Sequence, residues 1–266
     1  MGQDTKALRN RIKSVDSTMH LTKAMGLVAS SKIRRANEAM LRSRAYAEGL
    51  SDIADTLLAC PECAKSPYLQ GGGDRLRLIV IAGDRGLAGG YNANVFRLLR
   101  EYPDAEIIPI GKRACDRAGA EAVSSEHFTG AMAHDIAKAQ CADFLAGKYD
   151  RLCVIATKYV SIMTQEAYIR DILPLKRPEK RSSASVIFEP DEATILEAAI
   201  PEYVAGVITA CVRESFACEV AARRMAMDSA GKNASVMIDD LRLKYNRARQ
   251  GAITQEITEI VAGSGT

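Results

Sequence analysis

Residues 8–57 read LRNRIKSVDSTMHLTKAMGLVASSKIRRANEAMLRSRAYAEGLSDIADTL, and one face of this stretch decides the fold. Small and apolar residues recur along it in alternating steps of four and three. The members of this seam are Leu8, Ile12, Val15, Met19, Thr22, Gly26, Ala29, Ile33, Ala36, Met40, Ser43, Ala47, Leu50, Ala54 and Leu57. Because a period of 3.5 residues is the signature of a left-handed coiled coil, the stretch is predicted to be one long helix with a helical partner.

The distribution of proline predicts where that partner lies. All eight prolines fall between Pro61 and Pro201, and a proline inside a helix costs about 3 kcal/mol. Residues 1–60 and 201–266 are therefore predicted as two helical arms, which pair antiparallel because both are rooted in the same middle segment. The predicted seam of the second arm consists of Val204, Ile208, Cys211, Ser215, Cys218, Ala222, Met225 and Ser229, and closes with Ile253, Ile257 and Ile260. Gly231 is expected to interrupt it.

The middle segment, residues 61–200, follows a different pattern, in which short apolar runs alternate with helical ones. The predicted strands are Arg75–Gly83, Ala105–Ile110 and Arg151–Thr157, with edge strands at Glu166–Leu173 and Ser185–Glu189. The predicted helices are Asn92–Glu101, Lys112–Ala118 and Ala133–Gly147. Alternation of this kind is typical of a mostly parallel sheet. The fold class is thus mixed α+β and α/β, a coiled coil plus a small Rossmann-like domain.

A glycine-rich loop, Gly83–Asn92, follows the first predicted strand, where phosphate-binding loops occur. It has neither the Lys-Ser/Thr pair of a Walker loop nor the spacing of the dinucleotide fingerprint. A tight structural turn in which Asn92 caps the next helix is the favoured interpretation, and nucleotide binding is the alternative.

Composition argues against several other classes of site. Cys60 and Cys63 have the spacing of a metal or redox pair but lack two further ligands, so a loop pair is favoured over a metal or redox role. None of the histidines His20, His127 and His134 is joined by a nucleophile or a paired carboxylate in a recognisable catalytic arrangement. We expect no catalytic site, no cofactor and no metal.

Charge and hydropathy restrict the possible partners. The net charge is +3, with an excess of basic residues in the first fifty positions and no aromatic residue there before Tyr46. A basic helix without stacking aromatics is a poor platform for nucleic acid. The apolar runs fall short of a membrane span, and the first residues lack the pattern of a signal peptide.

Motifs at both ends and in the middle carry a resemblance to a known family. The N-terminal stretches are residues 12–15, 21–25 and 28–36, and the C-terminal ones are residues 221–223, 226–227, 233–234, 245–250 and 253–261. Residues 84–87 (DRGL), 89–92 (GGYN) and 173–175 (LPL) add central matches. Together these motifs resemble the gamma subunit of F-type ATP synthases over essentially the whole chain. The departures are Gly83, where a small hydroxyl residue is usual, Ala88, where cysteine is common, and Asp228, at a usually basic position.

The resemblance implies a rotary central stalk that is not an enzyme on its own. Its implied partners are a 3:3 ring of alpha and beta subunits, the epsilon subunit and the c-subunit ring of a proton-translocating membrane sector. The implied location is peripheral, on the cytoplasmic side of a bacterial inner or plasma membrane. The role would be to couple rotation of the membrane ring to ATP synthesis or hydrolysis in the catalytic ring.

Six residues at matching motif positions are implied contacts with the catalytic ring. They are Lys23, Met25, Arg249, Gln250, Thr254 and Glu256. The alternative for each is packing of the two arms against each other. The alternatives for the whole chain are a stand-alone coiled-coil adaptor with an α/β binding domain and a nucleotide-binding enzyme.

Overall fold

Two helices account for nearly half of the chain. The computed structural model describes residues 2–70, 73–178 and 189–263. Helix α1 spans Gly2–Leu58, and helix α5 spans Glu192–Gly263, with 57 and 72 residues. The long helix predicted from the N-terminal seam is confirmed, and all fifteen seam residues are buried or half-buried.

Short elements fill the middle of the chain. In order they are β1 (Leu76–Ile81), α2 (Tyr91–Leu99), β2 (Glu106–Ile110), α3 (Lys112–Ala118), α4 (Gly130–Leu145), β3 (Arg151–Tyr159) and β4 (Gln165–Leu173). Two single turns of 3-10 helix, Glu62–Lys65 and Pro67–Leu69, precede β1. Each predicted strand and helix up to residue 173 has a counterpart. The further strand predicted at 185–189 lies outside the described residues except for Glu189.

The chain divides into two units. One unit combines residues 1–30 with 223–266, and the other is residues 31–222. The first unit therefore contains only the outer parts of α1 and α5. The second contains the inner parts of both helices and all the short elements.

In the second unit the sheet has the strand order β2-β1-β3-β4. β1 pairs in parallel with β2 and with β3, whereas β4 pairs antiparallel with β3. The mostly parallel sheet is thus confirmed. Pro109 lies in β2, at one edge of the sheet, where the missing N–H costs no internal ladder bond.

Helices cover both faces of this sheet. On one face Ile79 and Ile81 of β1 lie in a core shared with α4 and with the first part of α5, which contributes Ile200 and Val204. On the other face Leu78 and Val80 lie in a second core, with α2 and α3. All five β1 residues from Arg77 to Ile81 are buried, as expected for a strand covered on both sides.

Helix α5 begins at Glu192, nine residues earlier than the predicted start of the second arm at Pro201. Asp191 precedes its first turn, and its carboxylate accepts hydrogen bonds from Thr194 N at 2.9 Å and Thr194 Oγ1 at 2.8 Å. Pro201 consequently lies inside the helix rather than before it. An aspartate cap stabilises the start of a helix, and here it sets the start of α5 even though a proline follows in the third turn.

One window of 18 residues in α5 has the length and composition of a membrane span. Its mean hydropathy is 1.6, and 50% of it is buried within the chain. Val204, Val207 and Ile208 of this helix are fully buried in the core beside the sheet. Core packing therefore accounts for the apolar character of this first part of α5.

Within the second unit α1 and the first part of α5 run antiparallel. Glu214 accepts a hydrogen bond from Arg44 at 2.8 Å, and the Leu50 side chain lies against Gly206. Numbers rise along one helix as they fall along the other, so the pairing direction predicted from the sequence is confirmed here.

Candidate functional site

The helix pair of the first unit carries the residues proposed as contacts. A Cβ atom at Gly26 would lie 3.6 Å from Met227 Cβ, and a Cβ at Gly231 would lie 3.6 Å from Thr22 Oγ1. Moving four residues back along α1, from Gly26 to Thr22, thus moves the contact four residues forward along α5, from Met227 to Gly231. The two segments are antiparallel, and this pair of contacts fixes their register.

The register shows that part of the predicted α5 seam is wrong. Beyond residue 226 the buried positions are Met227, Gly231, Ala234, Ile238 and Leu241, followed by the half-buried Tyr245, Ala248 and Ala252, and these again alternate steps of four and three. Ser229, predicted to lie in the seam, is exposed, and Gly231, predicted as an interruption, is a buried seam residue. Small residues occupy several faces of α5 here, so the heptad pattern did not distinguish the true face.

The end of α5 extends beyond the start of α1. In the register set by Gly26 and Gly231, Leu8 faces Tyr245, and both are half-buried. Every residue from Ile253 to Gly263 is exposed, including Ile253 at 47% and Ile260 at 70%. The prediction that the isoleucine triplet closes the seam is wrong, because in the antiparallel pair these residues lie beyond the start of α1. The unpaired segment is about 16 Å long at 1.5 Å per residue.

The six predicted contact residues fall into two separate bands. Lys23 is exposed and Met25 half-buried on α1, whereas Arg249, Gln250, Thr254 and Glu256 are all exposed near the end of α5. In the helix register, Lys23 and Arg249 lie roughly 28 Å apart along the pair. The structure brings the four α5 residues together and leaves Lys23 and Met25 as a distinct patch.

Lys23 lines a shallow groove of about 470 Å³. Small seam residues form its floor, and Arg224, Asp228 and Lys232 of α5 also line it. The Asp228 carboxylate accepts a hydrogen bond from Lys232 at 2.7 Å, and this contact lowers the pKa of Asp228. Asp228 stands at a usually basic position, and Lys232, one turn later along α5, supplies a positive charge beside it.

In the second unit the loop after β1 is held by side chains of the chain itself. Gly83 N donates to Asn92 Oδ1 at 2.9 Å, and Arg85 N donates to Glu219 Oε1 at 3.4 Å. A phosphate loop would offer such N–H groups to a ligand, so the structural-turn interpretation is the one this geometry favours. Asn92 lies within α2 and does not cap it, since the N-cap residue is Gly90.

Asp84 fixes this loop to the segment that follows α3. Its carboxylate accepts hydrogen bonds from Ser124 Oγ at 2.6 Å and from the backbone N–H groups of Ser125, Glu126 and Lys112 at 2.9, 3.0 and 3.1 Å. Burial alone would raise the pKa of Asp84, but these donors outweigh it and lower the pKa. The carboxylate therefore has a structural role.

The cysteine pair does not have the chemistry of a reactive site. Burial raises the pKa of the Cys60 thiol and raises that of Cys63 to about 11, with Glu192 and Glu62 adding to both shifts. Thiols of this kind remain protonated and poorly nucleophilic near neutral pH. Within the part of the chain that the structure describes, no cluster of three or more His, Cys, Asp or Glu side chains could hold a metal ion.

Sequence reasoning missed one pair of residues entirely. A Cβ at Gly83 would lie 2.6 Å from Cδ of Glu219, which is buried at 2% exposure. The only available signal was that Gly83 departs from the usual small hydroxyl residue. Nothing in the pattern connected it to a carboxylate 136 positions away.

Comparisons with known proteins agree over nearly the full length. The family model described as ATP synthase matches residues 4–266. The ATP synthase gamma chain of Ruminococcus albus is 39% identical over 277 residues, which cover 97% of each chain. That of Desulforamulus reducens is 36% identical and covers 97% of this chain and 96% of the relative.

Solved structures share the fold at low sequence identity. A chain of the Euglena gracilis mitochondrial ATP synthase, in a structure of its OSCP, F1 and c-ring, superposes with a TM-score of 0.69 at 18% identity. It covers 98% of this chain and 94% of its own length. A chain from the rotor of the same enzyme gives 0.66 at 18% identity, over 95% of this chain and 100% of its own.

Proposed function

This chain belongs to the family of ATP synthase gamma chains, and from that membership we propose that it is the central rotor stalk of an F-type ATP synthase. In this role it couples rotation of a membrane c-subunit ring to ATP synthesis or hydrolysis in a ring of alpha and beta subunits. The observation that carries the proposal is the match to gamma chains over 97% of both sequences. A stand-alone adaptor would not require that match.

The helix pair suits a shaft. Two antiparallel helices with small seam residues approach closely and resist bending better than one helix does. Different faces of the pair carry different side chains, so each orientation presents different contacts to a surrounding ring. A rotor that contacts three chemically equivalent sites unequally shifts each site between conformations by its differential binding energy.

We propose that the six residues at matching motif positions contact the catalytic ring at two levels. We place Lys23 and Met25 at one level of the catalytic ring, and Arg249, Gln250, Thr254 and Glu256 at a second level. Exposure of the four α5 residues supports this, because they are not occupied by packing against α1. Met25 is half-buried, which fits a flank position beside the seam residue Gly26.

The remaining assignments follow from the same role. Residues 1–60 and 201–266 form the shaft, and residues 61–200 form a foot that contacts the c-subunit ring and the epsilon subunit. The chain has no catalytic site of its own and binds no cofactor, metal or nucleic acid. It lies peripherally on the cytoplasmic side of a bacterial membrane, where the complex couples proton movement to rotation.

Affinity purification of the tagged chain from its native cells tests this function. Alpha, beta, epsilon and c subunits should co-purify with it in fixed ratio, and the isolated chain should show no ATP hydrolysis. An adaptor would arrive without stoichiometric ATP synthase subunits. Turnover by the pure chain that disappears on changing Asp84 or Arg85 would instead indicate a nucleotide-binding enzyme.

A further inference from the structure

The carboxyl ends of β1 and β3 border the crevice where open α/β sheets usually bind their ligands. In the order β2-β1-β3-β4, the chain passes from β1 to β2 on one side and later returns to β3 on the other. Such a reversal of strand order opens a crevice outside the carboxyl ends of the two strands, and phosphate-bearing ligands commonly occupy it. Here the loop that starts at Gly83 follows β1, and Thr157 lies near the end of β3.

One face of α5 fills this crevice. Ser215, Cys218 and Glu219 are three and four residues apart, so their side chains leave the helix on the same side. Thr157 N donates to Ser215 Oγ at 3.1 Å, and Cys218 Sγ donates to Thr157 O at 3.5 Å. Glu219 Oε1 accepts a hydrogen bond from Arg85 N at 3.4 Å. The three side chains therefore span the crevice from the end of β3 to the loop after β1.

The filled crevice is closed to solvent. Ser215 and Cys218 are fully buried, and Glu219 is 2% exposed. Tyr91, the first residue of α2, is also buried and packs with Cys218. Burial raises the pKa of Tyr91, and the negative charge of Glu219 raises it further, so the hydroxyl group beside the carboxylate stays protonated. A ligand from outside could enter only by displacing these side chains.

Gly83 allows the carboxylate of Glu219 to lie directly against the loop. A Cβ atom at position 83 would lie 2.6 Å from Cδ of Glu219 and 3.0 Å from its Oε1. In dinucleotide-binding loops a glycine has the same role, because it lets the backbone come close to the pyrophosphate. In this chain the group that approaches the backbone is a carboxylate of the chain itself.

We propose that the loop after β1 forms an anion-binding site whose resident ligand is the Glu219 carboxylate, supplied by α5. The anion seat, formed by Gly83 and the N–H group of Arg85, takes a small carboxylate. Cγ and the carboxyl group of Glu219 are together equivalent to one acetate ion. A ligand supplied from within explains why a loop in the position of a phosphate loop has neither the Walker lysine nor the fingerprint spacing.

Chemical rescue of the full chain tests the proposal. Glu219→Ala removes the atoms equivalent to acetate and should lower the midpoint of thermal unfolding in chloride. Added acetate should raise the midpoint of this variant by about 2–4 °C and then saturate, because only the folded chain offers the seat. Acetamide has the same shape without the charge, and it should have much less effect.

Two control variants locate the effect. Glu197→Ala, at an exposed position of α5, should respond to acetate no more than the wild type does, which measures the general effect of the salt. Adding Gly83→Ala to Glu219→Ala places a methyl group in the seat, within 2.6–3.0 Å of the position of the carboxylate. The response to acetate should then disappear.

A further variant separates charge from shape. Glu219→Gln keeps the size of the side chain but not its charge, so it should be less stable than the wild type. It should not respond to acetate, because its own side chain fills the seat. If Glu219→Ala does not fold in chloride, its refolding yield in acetate, acetamide and chloride gives the same comparison.

Three outcomes would overturn the proposal. Equal rescue by acetamide, or wild-type stability of Glu219→Gln, would mean that the crevice selects shape and not an anion. A response to acetate that persists with Gly83→Ala would place the ion elsewhere. Failure of acetate to stabilise Glu219→Ala beyond its effect on the wild type would mean that the loop holds no anion. All of these are measured on the chain alone, so they are independent of the co-purification that tests the stalk function.

Discussion

Gly83 and Glu219 depend on each other through a single close approach. Glu219 is buried beneath the loop after β1, and a methyl group at position 83 would lie 2.6 Å from its Cδ atom and 3.0 Å from its Oε1. The obstructing atoms belong to a side chain held in the core, so relief requires Glu219 or the loop to move. Glycine at this position is therefore a consequence of the glutamate.

We expect Gly83→Ala to destabilise the second unit by about 1–3 kcal/mol, the usual cost of overpacking a core. In a Glu219→Ala background the same change should cost much less, because the obstructing carboxylate is gone. The free energy of unfolding of the four chains, measured in urea, gives the coupling directly. Equal costs in the two backgrounds would show that the close approach does not determine the choice of glycine.

The hydrogen bonds to Asp84 predict that the stability of the fold falls at low pH. Four donors lower its pKa in the folded chain below the ordinary 3.8. Because the folded pKa is the lower one, the carboxylate stabilises the fold above pH 3.8, and this contribution is lost as the pH falls through the folded value. Asp84→Asn should therefore destabilise the chain near neutral pH by about 1–3 kcal/mol.

The difference between wild type and Asp84→Asn should shrink as the pH is lowered below 3.8. The midpoint of thermal unfolding, followed from pH 7 to pH 2 or so, measures it. Asp135→Asn, at an exposed position on α4, serves as the control and should shift the midpoint little at any pH. A constant difference across the range would mean that Asp84 acts through packing and not through its charge.

At the scale of the helices, Gly231 tests the corrected seam. It is buried against Thr22, yet a methyl group there would meet Thr22 Oγ1 at an ordinary 3.6 Å. Alanine in a helix interior is favoured over glycine by about 0.5–1 kcal/mol. Gly231→Ala should therefore stabilise the helix pair of the first unit by up to that amount.

Two further variants separate the seams in thermal unfolding measurements. Met227→Ala, on the observed seam, should destabilise the pair, whereas Ser229→Ala, on the predicted seam, should be nearly neutral because Ser229 is exposed. Gly111→Ala provides a contrast in the second unit, since Gly111 has φ 94° and a methyl there would lie 1.9 Å from Ala82 O. A loss of stability in Ser229→Ala larger than that in Met227→Ala would favour the sequence-derived seam.

These elements also show how far the sequence determines the fold. The α1 seam was predictable to the residue because its steps of four and three continue unbroken through fifteen positions. On α5 small residues occupy neighbouring faces, so Met225 and Ser229 fitted the repeat as well as Met227 and Gly231 did. Which face is buried was decided by the partner helix, which no pattern within α5 contains.

The candidate site was less predictable than the fold. The isoleucines after Ile253 looked like core because they have helical spacing, but their exposure depends on the length of α1 in register with α5. A groove lined by Lys32, Glu126 and Arg213 combines residues from α1, the segment after α3 and α5, up to 181 positions apart. Motif matches indicated the ends of the shaft, whereas three-dimensional adjacency was needed to find the groove.

In the assembled complex, the most informative residues lie where α5 begins to extend past the start of α1. Arg249 and Gln250 are both exposed. Among the described residues, the backbone carbonyl of Gln250 accepts a side-chain hydrogen bond only from the Thr254 hydroxyl, at 3.0 Å. Among the described residues, no carboxylate forms an ion pair with Arg249. Removing these two side chains should therefore leave the helix pair intact, so any effect must arise from a contact with another subunit.

We expect Arg249→Ala combined with Gln250→Ala to assemble normally and to slow both ATP synthesis and ATP hydrolysis. A charge-assisted hydrogen bond is worth about 1.5–3 kcal/mol, and its loss from one rotor orientation changes turnover roughly tenfold or more. Assembly yield and turnover per assembled complex are measured separately, with Arg242→Ala, an exposed residue of the paired region, as the control. If the pair instead only packed α5 against α1, assembly would fall while turnover per complex stayed normal. Full turnover with full assembly would refute the contact, because the shaft would then act on the ring without these residues.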